Sequence, residues 1–178
     1  MSIISFGKFD NELGYKTLNE RTMRASAGLM LLLGSIASIN GFIFNRYEVI
    51  PYISGFLMVN FMIGIFINPK FSPTVFVGWI FVRKQSPLPI GAIQKKFAWS
   101  LGLGLSTVIF ILSLYLINDV TYFDPVCLLC IGCLFLLFFE SVFGICIGCK
   151  LYYLFIFLKI FKEPEIKPNC MGDSCEVD

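Results

Sequence analysis

Four apolar runs constrain this chain more than anything else in it. They cover residues 25–44, 49–67, 97–117 and 126–145. About 20 apolar residues wound as a helix span a hydrocarbon core of roughly 30 Å. In lipid every backbone polar group must be satisfied within the protein, which leaves a helix as the fold for an isolated run. Charged residues are 15% of the chain, against about 25% in soluble domains. The expected fold is an all-α integral membrane protein with four transmembrane helices.

The first run is read as a span, not as a secretory signal. Its apolar core starts only at Ala25 and continues to Phe44, past the small residues Ser35-Ile36-Ala37. Residues 1–22 form a polar N-terminal arm, 23–162 the membrane domain, and 163–178 a flexible tail. Two shorter apolar segments, 75–82 and 151–161, cannot cross a bilayer. They are expected to lie along its interface, with Arg83, Lys84 and Lys162 near their ends.

The basic residues set an expected orientation. Lys8, Lys16, Arg21 and Arg24 precede the first span, and Lys70, Arg83, Lys84, Lys95 and Lys96 fill the second loop. The third loop carries only Asp119 and Asp124, and Lys150, Lys159, Lys162 and Lys167 follow the fourth span. This bias places both termini and the second loop in the cytoplasm. The net charge of +2 is too small to imply a nucleic-acid partner; the expected partner surface is the lipid bilayer.

The halves repeat. At an offset of about 80 residues, Gly64, Ile65, Ile67 and Lys70 meet Gly144, Ile145, Ile147 and Lys150, and Ile80-Phe81 meets Ile160-Phe161. Upstream, at an offset of about 74, Ser26 and Gly28 meet Ser100 and Gly102. Each half is then a helical hairpin followed by a short interfacial helix, both inserted the same way up, as in parallel transporter repeats.

Chemistry rests on sulfur. The chain has no histidine and seven cysteines, five of them between Cys127 and Cys149. Asp124-Pro125 reads as a helix start, which places Cys127 in the first turn with Cys130 one turn on. A thiol there feels the positive end of the helix dipole. At the other end of the run, Cys146-Ile147-Gly148-Cys149 is a second C-x-x-C pair, with Gly144 and Gly148 expected to break the helix beside it. Glu140 is the acidic residue inside a span, a costly placement that marks a functional site. It is read as a proton partner for thiol chemistry or as a structural hydrogen bond, paired at matching depth with Asn60. Cys170 and Cys175 in the tail could join Cys146 and Cys149 in a four-cysteine zinc or iron–sulfur site.

The segment Phe143-Gly144-Ile145-Cys146-Ile147-Gly148-Cys149-Lys150-Leu151-Tyr152 resembles the closing F-G-x-C-x-G-C-x-x-Y of a bacterial membrane family labelled a domain of unknown function. Asn19-Glu20-Arg21 and Pro69-Lys70-Phe71-Ser72-Pro73 fit the same pattern, over residues 19–161. The resemblance implies a four-span protein of the bacterial inner membrane with a dithiol as its chemical feature, and carries over Cys146 and Cys149. Cys127-x-x-Cys130 and the tail pair depart from it.

Three functions follow as expectations. The first is a thiol redox or sulfur-handling protein served by a thioredoxin-like or sulfur-transfer partner. The second is a non-enzymatic protein built on the four-cysteine metal site. The third is a small transporter or channel subunit.

Overall fold

The computed structural model describes residues 5–161. Cys170, Cys175 and the expected tail lie outside them. Two short strands, β1 (Lys8–Phe9) and β2 (Lys16–Asn19), lead into α1 (Glu20–Phe42). Then come α2 (Val49–Met62), which runs on as a π-helical turn (Ile63–Ile67), and α3 (Pro73–Val82). The second half repeats the order: β3 (Pro89–Gly91), α4 (Ala92–Leu116), α5 (Phe123–Phe138) with its own π-helical turn (Phe139–Phe143), and α6 (Ile147–Phe157). Four helices, Glu20–Phe42, Val49–Ile67, Ala92–Leu116 and Val120–Phe143, are long and apolar enough to cross a membrane.

The packing follows the repeat. α3 folds back on α1, and α6 on α4; between the halves α2 packs on α4, and α5 on α1. Gly28 of α1 faces Ser141, and Gly102 of α4 faces Phe61, which are the pairs that offsets of about 74 and 80 superpose. Beyond Gly64 and Gly144 the longer offset fails. Residues 69–71 form a separate 3₁₀ turn in the first half, whereas Gly148-Cys149-Lys150 already belongs to α6. That extra turn returns the register to the shorter offset, so that Ser72, N-cap of α3, corresponds to Cys146, N-cap of α6.

The N-terminal arm is less simple than its polarity suggests. β2 pairs antiparallel with both β1 and β3. Asn19 caps α1 by accepting from Arg21 N, and its side chain also accepts from Leu88 N. Both half-repeats therefore start from one small sheet, which sets α1 and α4 entering from the same side. Phe6 is buried edge-on against Trp99, 6.1 Å between ring centres. The sheet came from a stretch without a long apolar run because its strands are two to four residues long and are held by pairing, not by an apolar face.

Candidate functional site: a buried dithiol beside an ion pair

The fourth span stops at Gly144, which adopts φ 69°, a left-handed conformation that glycine enters without a Cβ penalty. Arg24 of α1 closes this end. Its guanidinium donates to the carbonyls of Val142 (3.0 Å) and Ser141 (3.5 Å) and pairs with Glu20. The chain then reverses into α6. Gly148 seats that helix on α4, since a Cβ there would stand 2.7 Å from the Ala98 Cβ.

This reversal makes Cys146 the N-cap residue of α6 and sets Cys149 in its first turn. The short helix expected over 151–161 thus begins four residues earlier, at Ile147. The Cys149 thiol donates to the Cys146 sulfur across 2.6 Å, and both side chains are buried. Lys95 Nζ lies 4.0 Å from the same sulfur and donates to Glu140 Oε1 in a salt bridge. Four side chains from three elements thus form one series of contacts, Cys149 to Cys146 to Lys95 to Glu140.

Their electrostatics separate the two sulfurs. The hydrogen bond from Cys149 holds the Cys146 thiol below its ordinary value, against the opposing effect of burial, with the Lys95 ammonium adding to the lowering. The same hydrogen bond, reinforced by burial, pushes Cys149 up. Of the two, Cys146 is the more readily ionised and Cys149 the more strongly held as a thiol. Tyr153, one turn further along α6, is pushed up to about 12 by burial and by the neighbouring Cys149.

Lys95 is the residue of this site that the sequence pattern does not single out. It was counted among loop charges, with the third span starting at Phe97. α4 in fact begins at Ala92, and the Lys95 side chain is wholly buried.

Glu140 does not share a polar spot with Asn60. Asn60 Oδ1 accepts from Ser72 Oγ (2.7 Å), Thr74 N (3.0 Å) and Thr74 Oγ1 (3.0 Å), and so caps α3. Its amide nitrogen reaches only Met30 Sδ. Asn60 thus serves the short helix of its own half, whereas Glu140 is paired with Lys95 of α4. The first half holds a neutral network where the second holds the dithiol and the ion pair.

The Cys127–Cys130 pair is differently placed from what its motif suggests. Asp124 is not the helix cap: α5 begins at Phe123, and Asp119 caps the preceding 3₁₀ turn by accepting from Thr121 N. Cys127 therefore lies beyond the first turn of α5. Cys127 and Cys130 make no hydrogen bond to each other, and Cys130 is packed with Ile50, Ile109 and Val126. All five cysteines of the stretch are free thiols. Among the described residues no three histidine, cysteine or acidic side chains converge on a metal position; the tail half of the four-cysteine site lies outside them.

A family model described as Domain of unknown function (DUF4395) matches residues 18–156. The chain belongs to that family. No curated protein and no solved structure matches it. The matched region contains Lys95, Glu140, Cys146 and Cys149, so the whole dithiol site lies within the family domain.

Proposed function

We propose that this is a dithiol–disulfide redox protein of the bacterial inner membrane, with both termini in the cytoplasm and Cys146 as its attacking sulfur. The observation that carries the reading is the 2.6 Å approach of the Cys149 thiol to a Cys146 sulfur that also faces the Lys95 ammonium. Thiolate, not thiol, is the nucleophile in disulfide exchange. The Cys146 thiolate attacks a disulfide, forming a mixed disulfide and releasing one thiolate. Cys149 then gives up its proton, attacks the Cys146 sulfur, and expels the second thiolate as the internal disulfide closes. Lys95 holds the charge of the Cys146 thiolate, and Glu140 keeps the ammonium in place. In the reverse direction the same pair delivers two electrons to a thioredoxin-like or sulfur-transfer partner. The basic residues gathered at the dithiol end support a cytoplasmic placement of that end.

Equilibrating the purified protein in glutathione buffers and counting free thiols by mass tests the proposal. A reversible two-electron transition confined to Cys146 and Cys149 supports it. Thiols that persist through every buffer, or that become reactive only once a stoichiometric metal is stripped, overturn it in favour of the four-cysteine metal site.

A further inference from the structure

The buried dithiol has a cavity beside it. Cys146 is only 3% exposed, yet it forms part of the wall of a cavity of about 310 Å³ between α4, α5 and α6. That is at the lower end of small-molecule pockets, about 300–1,000 Å³. Its lining is apolar, including Phe61, Leu105 and Leu137, except at one end, where Glu140 and Cys146 stand together. Cys149 is not on the wall. Leu101 and Leu136 also line the cavity, and they are 44% and 41% exposed on spanning helices, on the surface that lipid covers.

We infer that this cavity admits a lipid-soluble quinone, which takes the two electrons of the Cys146–Cys149 dithiol. Three features select that class. The entrance lies among lipid-facing leucines, so the ligand arrives from the bilayer. Cys146, the reacting residue, lines the space, and Cys149 does not. The ring acceptor must take two electrons and two protons, the amount a dithiol releases on closing.

The step balances as follows. The Cys146 thiolate bonds to a ring carbon and pushes an electron pair onto a quinone carbonyl oxygen. Cys149 loses its proton and attacks the Cys146 sulfur; the S–S bond forms, and the C–S bond breaks with its electron pair staying on the ring. The two ring oxygens take two protons, one from Cys149 and one from water in place of the proton that Cys146 had already lost. The dithiol is oxidised to a disulfide and the quinone reduced to a quinol.

The inference rests on the redox reading above, and the experiment separates the two. The full chain, reduced and placed in lipid nanodiscs, is mixed with a short-chain ubiquinone analogue or, in parallel, with glutathione disulfide. Loss of the Cys146 and Cys149 thiols is followed by mass, and quinol by absorbance. The expected result is one quinol per disulfide. Leu136→Trp, which narrows the entrance without touching the sulfurs, should slow the quinone reaction about tenfold or more, as crowding a packed space does, and leave the glutathione reaction unchanged. If glutathione disulfide oxidises the pair and the quinone does not, or if Leu136→Trp leaves the quinone rate as it was, the cavity assignment falls and the redox reading stands. If neither oxidant closes the pair, both fall.

Discussion

Ser72 and Cys146 occupy the same place in the two halves of the fold: each is the extended N-cap residue of the short helix that follows a π-helical turn. Ser72 donates a hydrogen bond from its hydroxyl to Asn60 Oδ1, and Cys146 accepts one from Cys149. The same backbone position thus carries a hydroxyl network in one half and a dithiol in the other.

The position therefore tolerates a hydroxyl, and Cys146→Ser should keep the fold. Its unfolding free energy is expected to stay within about 1 kcal/mol of the parent, the range of mild substitutions. Internal disulfide formation should be abolished. Thermal unfolding in detergent, together with thiol counting after oxidation, checks both halves of this expectation.

The Cys149 hydrogen bond is the first cause of the lowered Cys146 value. Cys149→Ala removes the donor, so the value should rise and the thiolate fraction at neutral pH should fall. Alkylation of the remaining Cys146 thiol should then slow severalfold at pH 7 and recover as pH increases. The profile of alkylation rate against pH should shift to higher pH relative to that of the parent. An unchanged profile would mean that the sulfur contact does not set the reactivity.

The ion pair is costly to break singly. Lys95→Met leaves Glu140 buried without its cation and should destabilise the protein by about 3–5 kcal/mol, a large share of the roughly 5–15 kcal/mol that holds a domain folded. Lys95→Met combined with Glu140→Leu should regain most of that stability, because the unpaired charge is gone. It should not regain Cys146 reactivity, since the ammonium beside the sulfur is absent. Unfolding temperatures and alkylation rates of the single and double variants separate the structural from the chemical role.

Much of this arrangement was legible in the residues. The apolar runs, the repeat and the C-x-x-C spacing lead to four spans and a dithiol just past the end of the fourth. Lys95 was hidden because its charge was weighed as a loop residue, although it opens a stripe. Lys95, Trp99, Ser106, Ile109, Ser113 and Leu116 are all buried on α4, and their spacing of three, four or seven residues follows one helix face. Extending that stripe one turn upstream from Trp99 reaches Lys95 and not Lys96. Arg24 was likewise counted for its charge alone, and its role at Gly144 depends on a chain reversal 120 residues away that no local pattern announces. The outer pair misled for a different reason. Asp124-Pro125 is a sound helix-start signal, but the capping was done five residues earlier by Asp119, on a short 3₁₀ turn that feeds into α5.

The neutral network of the first half supplies a control. Asn60 is fully buried and accepts three hydrogen bonds that fasten α3. Asn60→Leu leaves those donors unpaired and should cost about 1–3 kcal/mol. Because these contacts lie outside the dithiol site, alkylation of Cys146 should be unaffected in the folded fraction. A matching loss of reactivity would show that the halves are coupled more tightly than their separate hydrogen-bond networks suggest.

Orientation is open to a direct measurement. α1 and α4 leave the same small sheet, and the dithiol lies near the start of α4 through Lys95, so Cys127 at the start of α5 belongs to the opposite end of the bundle. The basic residues favour a cytoplasmic dithiol end. A membrane-impermeant maleimide applied to intact cells should therefore label Cys127, which is partly exposed, before any permeabilisation. A cysteine placed by Lys84→Cys, in the exposed turn after α3, should react only after the membrane is opened, in a background where the other thiols are replaced by serine. Labelling of both from outside would overturn the four-span arrangement, and the reverse pattern would turn the protein over in the membrane. In that inverted case the dithiol would meet an oxidising compartment and be expected to rest as a disulfide rather than as the thiolate–thiol pair.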